Sequence, residues 1–413
     1  MLNQDFTYYN FLKLVKRGDY TTYFDYPNKK NSNLKEYKEK LLKIAEDRFT
    51  NDNCNFSAIK KIDINGQSIF VLKKTNDQQE LEQRISEDFI IRKINSNLCK
   101  VYGIQQADRY KIITVIKNIL SEKQSFYVLK TDIKKFYESI NKKAILENLN
   151  QSSLLSFDTK YLLNTLFSIE EIQNSQGIPR GLCISASLAE YYMKKFDHQI
   201  ISLDGVFYFA RYVDDIIIFS INEIDIKKDL APILPDGLSF NLNKTQCINT
   251  KKNFSFQFLG YQFSRKNIND KLRVSISPKK ISKIKQRIVK AFIAYNHDHN
   301  FKLLRKRLLF LTVNYPLKTG SQEVSNIEKN ENLHGGLAYN YPLLQDNNSS
   351  LKDLDKFFSS VLFSKHFSKV NQKLSKKKKL LLKKYSFENG FKKRIVRKFV
   401  LKDLKEITDC WSC

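Results

Sequence analysis

The chain has 413 residues, of which 42% are hydrophobic and 13% aromatic, ample for buried cores and incompatible with wholesale disorder. Its 71 Lys and Arg outnumber 43 Asp and Glu to give a net charge of +28. A large polyanion is the natural partner, because each phosphate neutralised by Lys or Arg releases condensed counterions. No apolar run approaches the ~18 residues of a membrane span, so no membrane partner is expected.

At roughly 100 to 200 residues per domain, two or three lobes are expected. The opening MLNQDFTYYNFLKLVK lacks the basic-then-apolar pattern of a signal peptide, which leads to an expected cytoplasmic location. Cys54, Cys99, Cys183, Cys247, Cys410 and Cys413 are scattered without an export signal, so a disulfide framework is not expected.

In chain order, residues 1 to 80 mix helical stretches such as LKEYKEKLLKIAEDRF with a strand-like SIFVLKK. RISEDFIIRKINSNL and DRYKIITVIKNIL place apolar residues at three and four spacing, as helices do. SFYVLKTDI follows with a strand pattern that puts Phe126, Val128, Lys130 and Asp132 on one face. KKFYESINKKAILENL reads as a helix, and a longer helix, CISASLAEYYMKKFDHQI, begins after QGIPRG. FYFARYVDDIIIFS then supplies two strands, GLSFNLNKTQ and FSFQFLGYQF a turn and short strands, and Lys279 to Phe310 returns to helix. The order strand, helix, helix, strand, strand predicts an α+β fold built on a split βαβ sheet with helices on one face. No Pro- or Gly-rich linker marks a boundary.

The stretch from Lys373 to Lys398 holds 12 Lys or Arg and a single acid, Glu388, interleaved with Leu380, Leu381, Leu382, Phe387 and Phe391. A solvated helix face is one reading; a nucleic-acid-binding surface also accounts for the net charge.

Asp214 and Asp215 stand side by side between two apolar runs, where their repulsion must be offset, and a bound cation is the natural compensation. Successive side chains of a strand point to opposite faces, so both acids can serve one site only from the tip of a hairpin. Asp132, at the end of another strand, is the natural third ligand if the strands are neighbours. Two or three carboxylates with a polyphosphate substrate are a usual way to hold Mg²⁺. Two such ions about 3.5 to 4 Å apart activate an attacking oxygen and stabilise a leaving one. A lone acidic pair is usually a surface turn; the apolar flanks argue against that here. The chemistry these residues suit is metal-dependent phosphoryl transfer on a polyanion.

The YVDD of residues 212 to 215 resembles the YxDD signature of reverse transcriptases, and the neighbouring segments resemble that family's palm motifs in order. KTDIKKFYESI from Lys130 resembles the first motif and QGIPRGLCISASLAEYYMKKFD from Gln176 the second; LNKT, with Lys244, resembles the fourth, and FQFLGY the primer grip. The resemblance spans roughly residues 85 to 265. It implies a right-hand polymerase with fingers, palm and helical thumb, and two Mg²⁺ ions held by Asp132, Asp214 and Asp215, with Ile133 among the metal-binding positions. Tyr137, five residues after Asp132, would be a steric gate against the 2′-hydroxyl. Gln176, Gly177 and Tyr212 would line the nucleotide pocket, Lys244 would protonate the leaving pyrophosphate, and Phe258, Leu259, Gly260 and Tyr261 would grip the primer. Arg92 and Arg109 are candidates for clamping the triphosphate, since a guanidinium fork suits phosphate.

Within that family, DIKKFYESI and IPRGLCISASLAEYYM look most like bacterial retron, abortive-infection and defence-associated enzymes, and the termini look like the type 3 defence system. The implied partners are a structured noncoding RNA template, deoxynucleoside triphosphates, the DNA product, and a second reverse transcriptase subunit in a higher oligomer. The implied organisation is 1–120 N-terminal extension and fingers, 121–265 palm, 266–325 thumb and 326–413 basic helical RNA-binding region. Untemplated or protein-primed synthesis, or a catalytically silent RNA-binding assembly subunit, are the competing readings.

Three further features tempt. HDHN, His297 to Asn300, reads as polar surface near a helix end rather than a metal site. CWSC, Cys410 to Cys413, has thioredoxin-like spacing but no following helix to lower a thiolate pKa, so a frayed or docked tail is expected. HGGLAYNYPLL, from His334, reads as a structural turn whose Tyr339 or Tyr341 would, in the bolder reading, touch product.

Overall fold

The computed structural model describes residues 2–16, 19, 23, 34–51, 54–64, 66–75, 77–316, 334–344 and 349–411. They fall into two compact units, one within residues 1–112 and 125–249, the other within 113–124 and 250–413. The division comes after Asn249, inside the segment 121–265 expected as a single palm, so the expected primer grip belongs to the second unit.

In the first unit, strands β1 (Ile59–Ile64) and β2 (Gln67–Leu72) form an antiparallel hairpin. The helix Gln78–Tyr102 follows, capped by the Asp77 carboxylate accepting from the Glu80 amide and ended by Gly103 in a left-handed conformation. The main sheet comprises β3 (Tyr127–Asp132), β4 (Val206–Tyr212), β5 (Asp215–Ser220) and β6 (Gln246–Asn249), in spatial order β4-β5-β3-β6 with every neighbouring pair antiparallel. β3 and β4 therefore run parallel with β5 inserted between them, the split βαβ arrangement that the element order predicts.

The sequence DIIIFS makes β5 the centre of this sheet because branched side chains suit a strand covered on both faces. Ile216, Ile217, Ile218 and Phe219 are all fully buried. Ile216 and Ile218 share a core with Leu188, Met193, Phe196 and Ile200 of the helix Cys183–Ile201. On the opposite face Phe219 packs against Phe126, Phe207 and Tyr208, with ring centres 5.6, 6.3 and 5.6 Å away.

In the second unit, β7 (Phe254–Phe258), β8 (Tyr261–Arg265) and β9 (Arg273–Ile276) form an antiparallel sheet. FSFQF alternates buried phenylalanines with exposed Ser255 and Gln257, the two-residue period of a half-covered strand. The helices Pro278–Asp298, Phe301–Thr312 and Ser349–Phe363 follow. His299 ends the first of these in a left-handed conformation, so HDHN is a helix terminus. The basic stretch forms short helices, Lys376–Leu382 and Phe387–Lys392, that bury Leu382, Phe387 and Phe391. Trp411 is docked, its indole N–H donating to the Arg287 carbonyl at 3.0 Å. Cys413 lies outside the described residues, and burial pushes the Cys410 thiol pKa up, away from reactivity. Tyr341 is buried with its ring edge-on to Tyr261. No helix of the described residues is long and apolar enough to cross a membrane.

Truncating Ile218 to Ala should cost about 2 to 5 kcal/mol in urea unfolding, whereas the same truncation of Phe157, 80% exposed, should stay within about 0.5 kcal/mol. Equal costs at the two positions would contradict the central placement of β5.

Candidate active site

The two apolar runs around the acidic pair are the arms of a hairpin, β4 and β5, with Val213 and Asp214 as its turn. Val213 has φ 61°, a left-handed conformation costly for a β-branched residue. Two contacts hold the turn. The Ile133 amide donates to the Asp214 carbonyl at 3.1 Å, and Arg211 Nη1 donates to the Val213 carbonyl at 3.1 Å. Arg211, with 3% of its side chain exposed, also pairs with Glu190 and Asp197 at 2.6 Å each, fastening the hairpin to the helix Cys183–Ile201.

Register then brings the acids together. Asp132, the last residue of β3, is the direct cross-strand partner of Asp215, the first of β5, so the two project from one face. Asp214 arrives from the turn rather than from a strand, which lets both members of the pair face this end of the sheet. The loop after β5 closes the site: the Asn241 amide donates to the Asp132 carbonyl at 2.8 Å, and the 3₁₀ turn Leu242–Lys244 carries Lys244 Nζ to 2.5 Å from Asp132 Oδ2.

Electrostatics record the crowding. Burial, then the charge of Asp214, pushes the Asp215 pKa up to about 6. Burial also raises Asp214, with Asp132 adding to the rise and Lys244 and Arg180 opposing it. Lys130, on the face shared by Asp132 and Asp215, is lowered by burial against their pull. The hydrogen bond to Asp132 raises Lys244 and keeps it an ammonium. The Asp132 carboxylate is buried, and among the described residues its Oδ1 has no hydrogen-bond partner.

An orphaned carboxylate oxygen beside two strained acids fits a hard divalent cation, for which oxygen donors are the right chemistry. Asp132, Ile133, Asp214 and Asp215 are drawn into one neighbourhood but not into a closed coordination sphere: among the described residues no three His, Cys, Asp or Glu groups stand close enough to hold a metal unaided. Ions that keep water and substrate phosphate as ligands do not require one. Ile133, its side chain buried, can offer only its backbone carbonyl.

Tyr137 lies on the short helix Phe136–Ser139 directly after β3, half-buried. Gly177, at φ 67°, sits flat on its backbone: a Cβ there would lie 2.0 Å from the Tyr137 carbonyl oxygen, which accepts from the Ile178 amide at 3.0 Å. Gly177 is therefore a packing requirement of this junction, while Gln176 beside it is exposed. Tyr212 ends β4 opposite Asp215.

Other expected residues sit elsewhere. Arg92 is a correction: its guanidinium is 2.6 Å from both Asp19 and Asp88 with 12% of the side chain exposed, so the fork expected for a triphosphate is occupied by two protein carboxylates. Arg109 opens the helix Arg109–Ser121. Phe258 and Tyr261 are buried ends of β7 and β8 joined by Leu259 and Gly260, at φ 44° and 84°, a tight turn within the second unit. Sequence reasoning passed over Arg211 and Arg180. Each adjoins a motif, YVDD and IPRG, and an arginine in so apolar a context was the available signal.

A raised carboxylate pKa fixes the sign of a pH dependence. Native Asp215 retains its proton to about pH 6, whereas the unfolded chain releases it near an ordinary ~3.9. Through that window the native state binds more protons, so this group's contribution to stability falls as pH rises. Asp215→Asn should then raise the thermal midpoint of the metal-free protein at pH 7.5, by the equivalent of about 1 to 3 kcal/mol, with no gain at pH 4. A lower midpoint at pH 7.5 would contradict the crowding. Arg211→Ala should cost about 3 to 5 kcal/mol, because it strands two carboxylates.

Residues 75–263 match the family described as reverse transcriptase (RNA-dependent DNA polymerase). No curated protein matches the chain. Solved structures similar to it include apo telomerase from Candida tropicalis truncated from its C-terminal domain (16% identity, TM-score 0.37, 53% of this chain and 54% of that one). Telomerase from Candida albicans in complex with a TWJ fragment of telomeric RNA has 12% identity, TM-score 0.36, and coverage of 85% and 61%. Apo telomerase from Candida tropicalis has 16% identity, TM-score 0.36, and coverage of 86% and 64%. The chain spans less than two thirds of the length of each. Residues 75–263, which include the hairpin, the Tyr137 loop and the acids of this site, are the part of the chain that matches the reverse transcriptase family, a family of RNA-directed DNA polymerases and so of nucleotidyltransferases.

Proposed function

We propose that the chain is an RNA-directed DNA polymerase that copies a bound noncoding RNA with two Mg²⁺ ions, in bacterial defence against phage. The observation that carries the polymerase reading is the convergence of Asp132, Asp214 and Asp215 at one end of the sheet, beside the Tyr137 loop. Bound there, the ions supply activation of the attacking hydroxyl and charge stabilisation of the leaving oxygen.

The chain's own groups do the rest. The strapped hairpin fixes Asp214 and Asp215 against Asp132. In this reading the Lys244 ammonium, kept protonated by its hydrogen bond to Asp132, gives a proton to departing pyrophosphate. The Tyr137 ring excludes a 2′-hydroxyl by contact. Arg109 remains the proposed triphosphate clamp from the sequence, and Phe258 to Tyr261 the proposed primer grip.

For RNA binding the support is the basic C-terminal surface. Lys376, Lys377, Lys383, Lys384, Lys393 and Arg394 are all exposed while the interleaved Leu382, Phe387 and Phe391 anchor the segment. A noncoding RNA template, a partner reverse transcriptase subunit and the defence role extend the resemblance in the palm motifs and termini.

The test is to purify the chain from its native host, sequence the RNA that accompanies it, and supply Mg²⁺ with labelled deoxynucleotides. Complementary DNA to that RNA is the expected product; DNA unrelated to any RNA present would replace this reading with untemplated synthesis, and no DNA at all with a silent assembly subunit. Asp132→Asn or Asp214→Asn should abolish incorporation while leaving RNA affinity within about twofold, because the basic surface is separate in sequence and chemistry. Glutamine at Lys376, Lys377, Lys383 and Lys384 should weaken RNA binding and reduce its logarithmic salt slope by about 0.7 for each phosphate no longer neutralised.

A further inference from the structure

The loop Gln176–Gly181 meets the Tyr137 segment through more than Gly177. Arg180 reaches across with its guanidinium carbon 4.8 Å from the centre of the Tyr137 ring. The same guanidinium pairs with the neighbouring Glu138, Nε to Oε1 at 2.7 Å and Nη2 to Oε2 at 3.0 Å. Its backbone is fixed from the other side: the Phe70 amide of β2 donates to the Arg180 carbonyl at 2.7 Å. Gly181, at φ 100°, lets β2 approach so closely that a Cβ there would lie 2.4 Å from the Phe70 carbonyl oxygen. Arg180 is thus held by β2 through its main chain and by Glu138 through its fork, and it presents a fixed cation to the aromatic ring.

We propose that Arg180 is a positioning residue that sets the Tyr137 ring and thereby the discrimination between deoxy- and ribonucleoside triphosphates. The inference rests on the polymerase reading above and deepens it. A gate that works by contact is only as selective as its ring is immobile, since a displacement of about 1 Å changes whether a hydroxyl fits. Among the described residues, two ring contacts hold Tyr137. Phe136 stands edge-on with centres 5.4 Å apart, and Arg180 lies against the ring by a cation–π contact. Phe136 belongs to the same short helix as Tyr137. Arg180 comes from a different segment tied to β2, so it supplies the external reference. The planar fork matters because it keeps an ion pair and one hydrogen bond on Glu138 while its face meets the ring, which an ammonium cannot do.

The experiment uses the full chain and two readouts. One is incorporation of a deoxynucleotide against the matching ribonucleotide on a primed RNA template with Mg²⁺, as kcat and KM for each. The other is the thermal shift produced by each triphosphate. Arg180→Ala is expected to reduce the kcat/KM preference for the deoxynucleotide about 3- to 30-fold, chiefly by lowering KM for the ribonucleotide, and to level the two thermal shifts. Arg180→Lys should fall between, and Glu138→Gln should move the ratio the same way by less. In a Tyr137→Ala background, removing Arg180 should change the ratio no further, because nothing is left to position. If Arg180→Ala weakened both triphosphates equally, or kept its full effect without the Tyr137 ring, Arg180 would be a direct substrate contact and the proposal would fall. A wild-type chain that prefers the deoxynucleotide in thermal shift yet incorporates nothing would sink the polymerase reading and leave the gate standing. Wild-type polymerisation with a ratio unmoved by Arg180→Ala would sink the gate alone.

Discussion

The arrangement depends on placing like charges at the end of an apolar sheet. Asp132 and Asp215 are cross-strand partners, and Asp214 is attached to them by a two-residue turn. Directly opposed carboxylates repel, and burial withholds the water that would screen them. The raised Asp214 and Asp215 pKa values record that cost in the protein alone. What keeps the acids in place is the rest of the first unit: a central strand buried on both faces, a hairpin turn bonded to Ile133, and Arg211 anchoring the hairpin to a buried helix. The stability of the core offsets the strain of the site, as it commonly does where chemistry demands an unfavourable charge distribution.

Cations surround this cluster in graded positions. Lys244 touches Asp132 from an exposed side chain, Lys130 shares the face from a half-buried one, and the charge of Arg180 reaches Asp214. None of them removes the repulsion, because among the described residues Asp132 Oδ1 still lacks a hydrogen-bond partner. A site of this kind gains more from a mobile divalent cation than from another fixed lysine, since the ion can satisfy several oxygens at once. The same neighbourhood ties Tyr137 to the acids: it follows β3 by five residues, and its backbone is covered by Gly177 with no room for a side chain.

Much of this was legible in the sequence. Alternation located β3 and assigned Asp132 to the same face as Val128 and Lys130. The apolar arms of FYFARYVDDIIIFS announced a hairpin, and the element order announced a split βαβ sheet. Arg92 was misread because its partners, Asp19 and Asp88, lie 73 residues away and one helical turn away, and neither pairing is visible as a motif. The break after Asn249 was missed because β6 and β7 are separated by only a few residues of ordinary composition, while their hydrogen bonds go to different sheets.

The sequence by itself determined the residue types, their order and the local periods: carboxylates at strand ends, an aromatic after the first, a glycine loop before a helix, and a surplus of positive charge. These are local or additive properties, readable from spacing and count. Only the tertiary structure decided which carboxylates are neighbours, that Lys244 closes on Asp132 from 112 residues away, and that Arg180 links β2, Glu138 and the Tyr137 ring. Those facts depend on strand register and on backbone hydrogen bonds between distant segments, where a shift of one residue would turn every side chain to the other face.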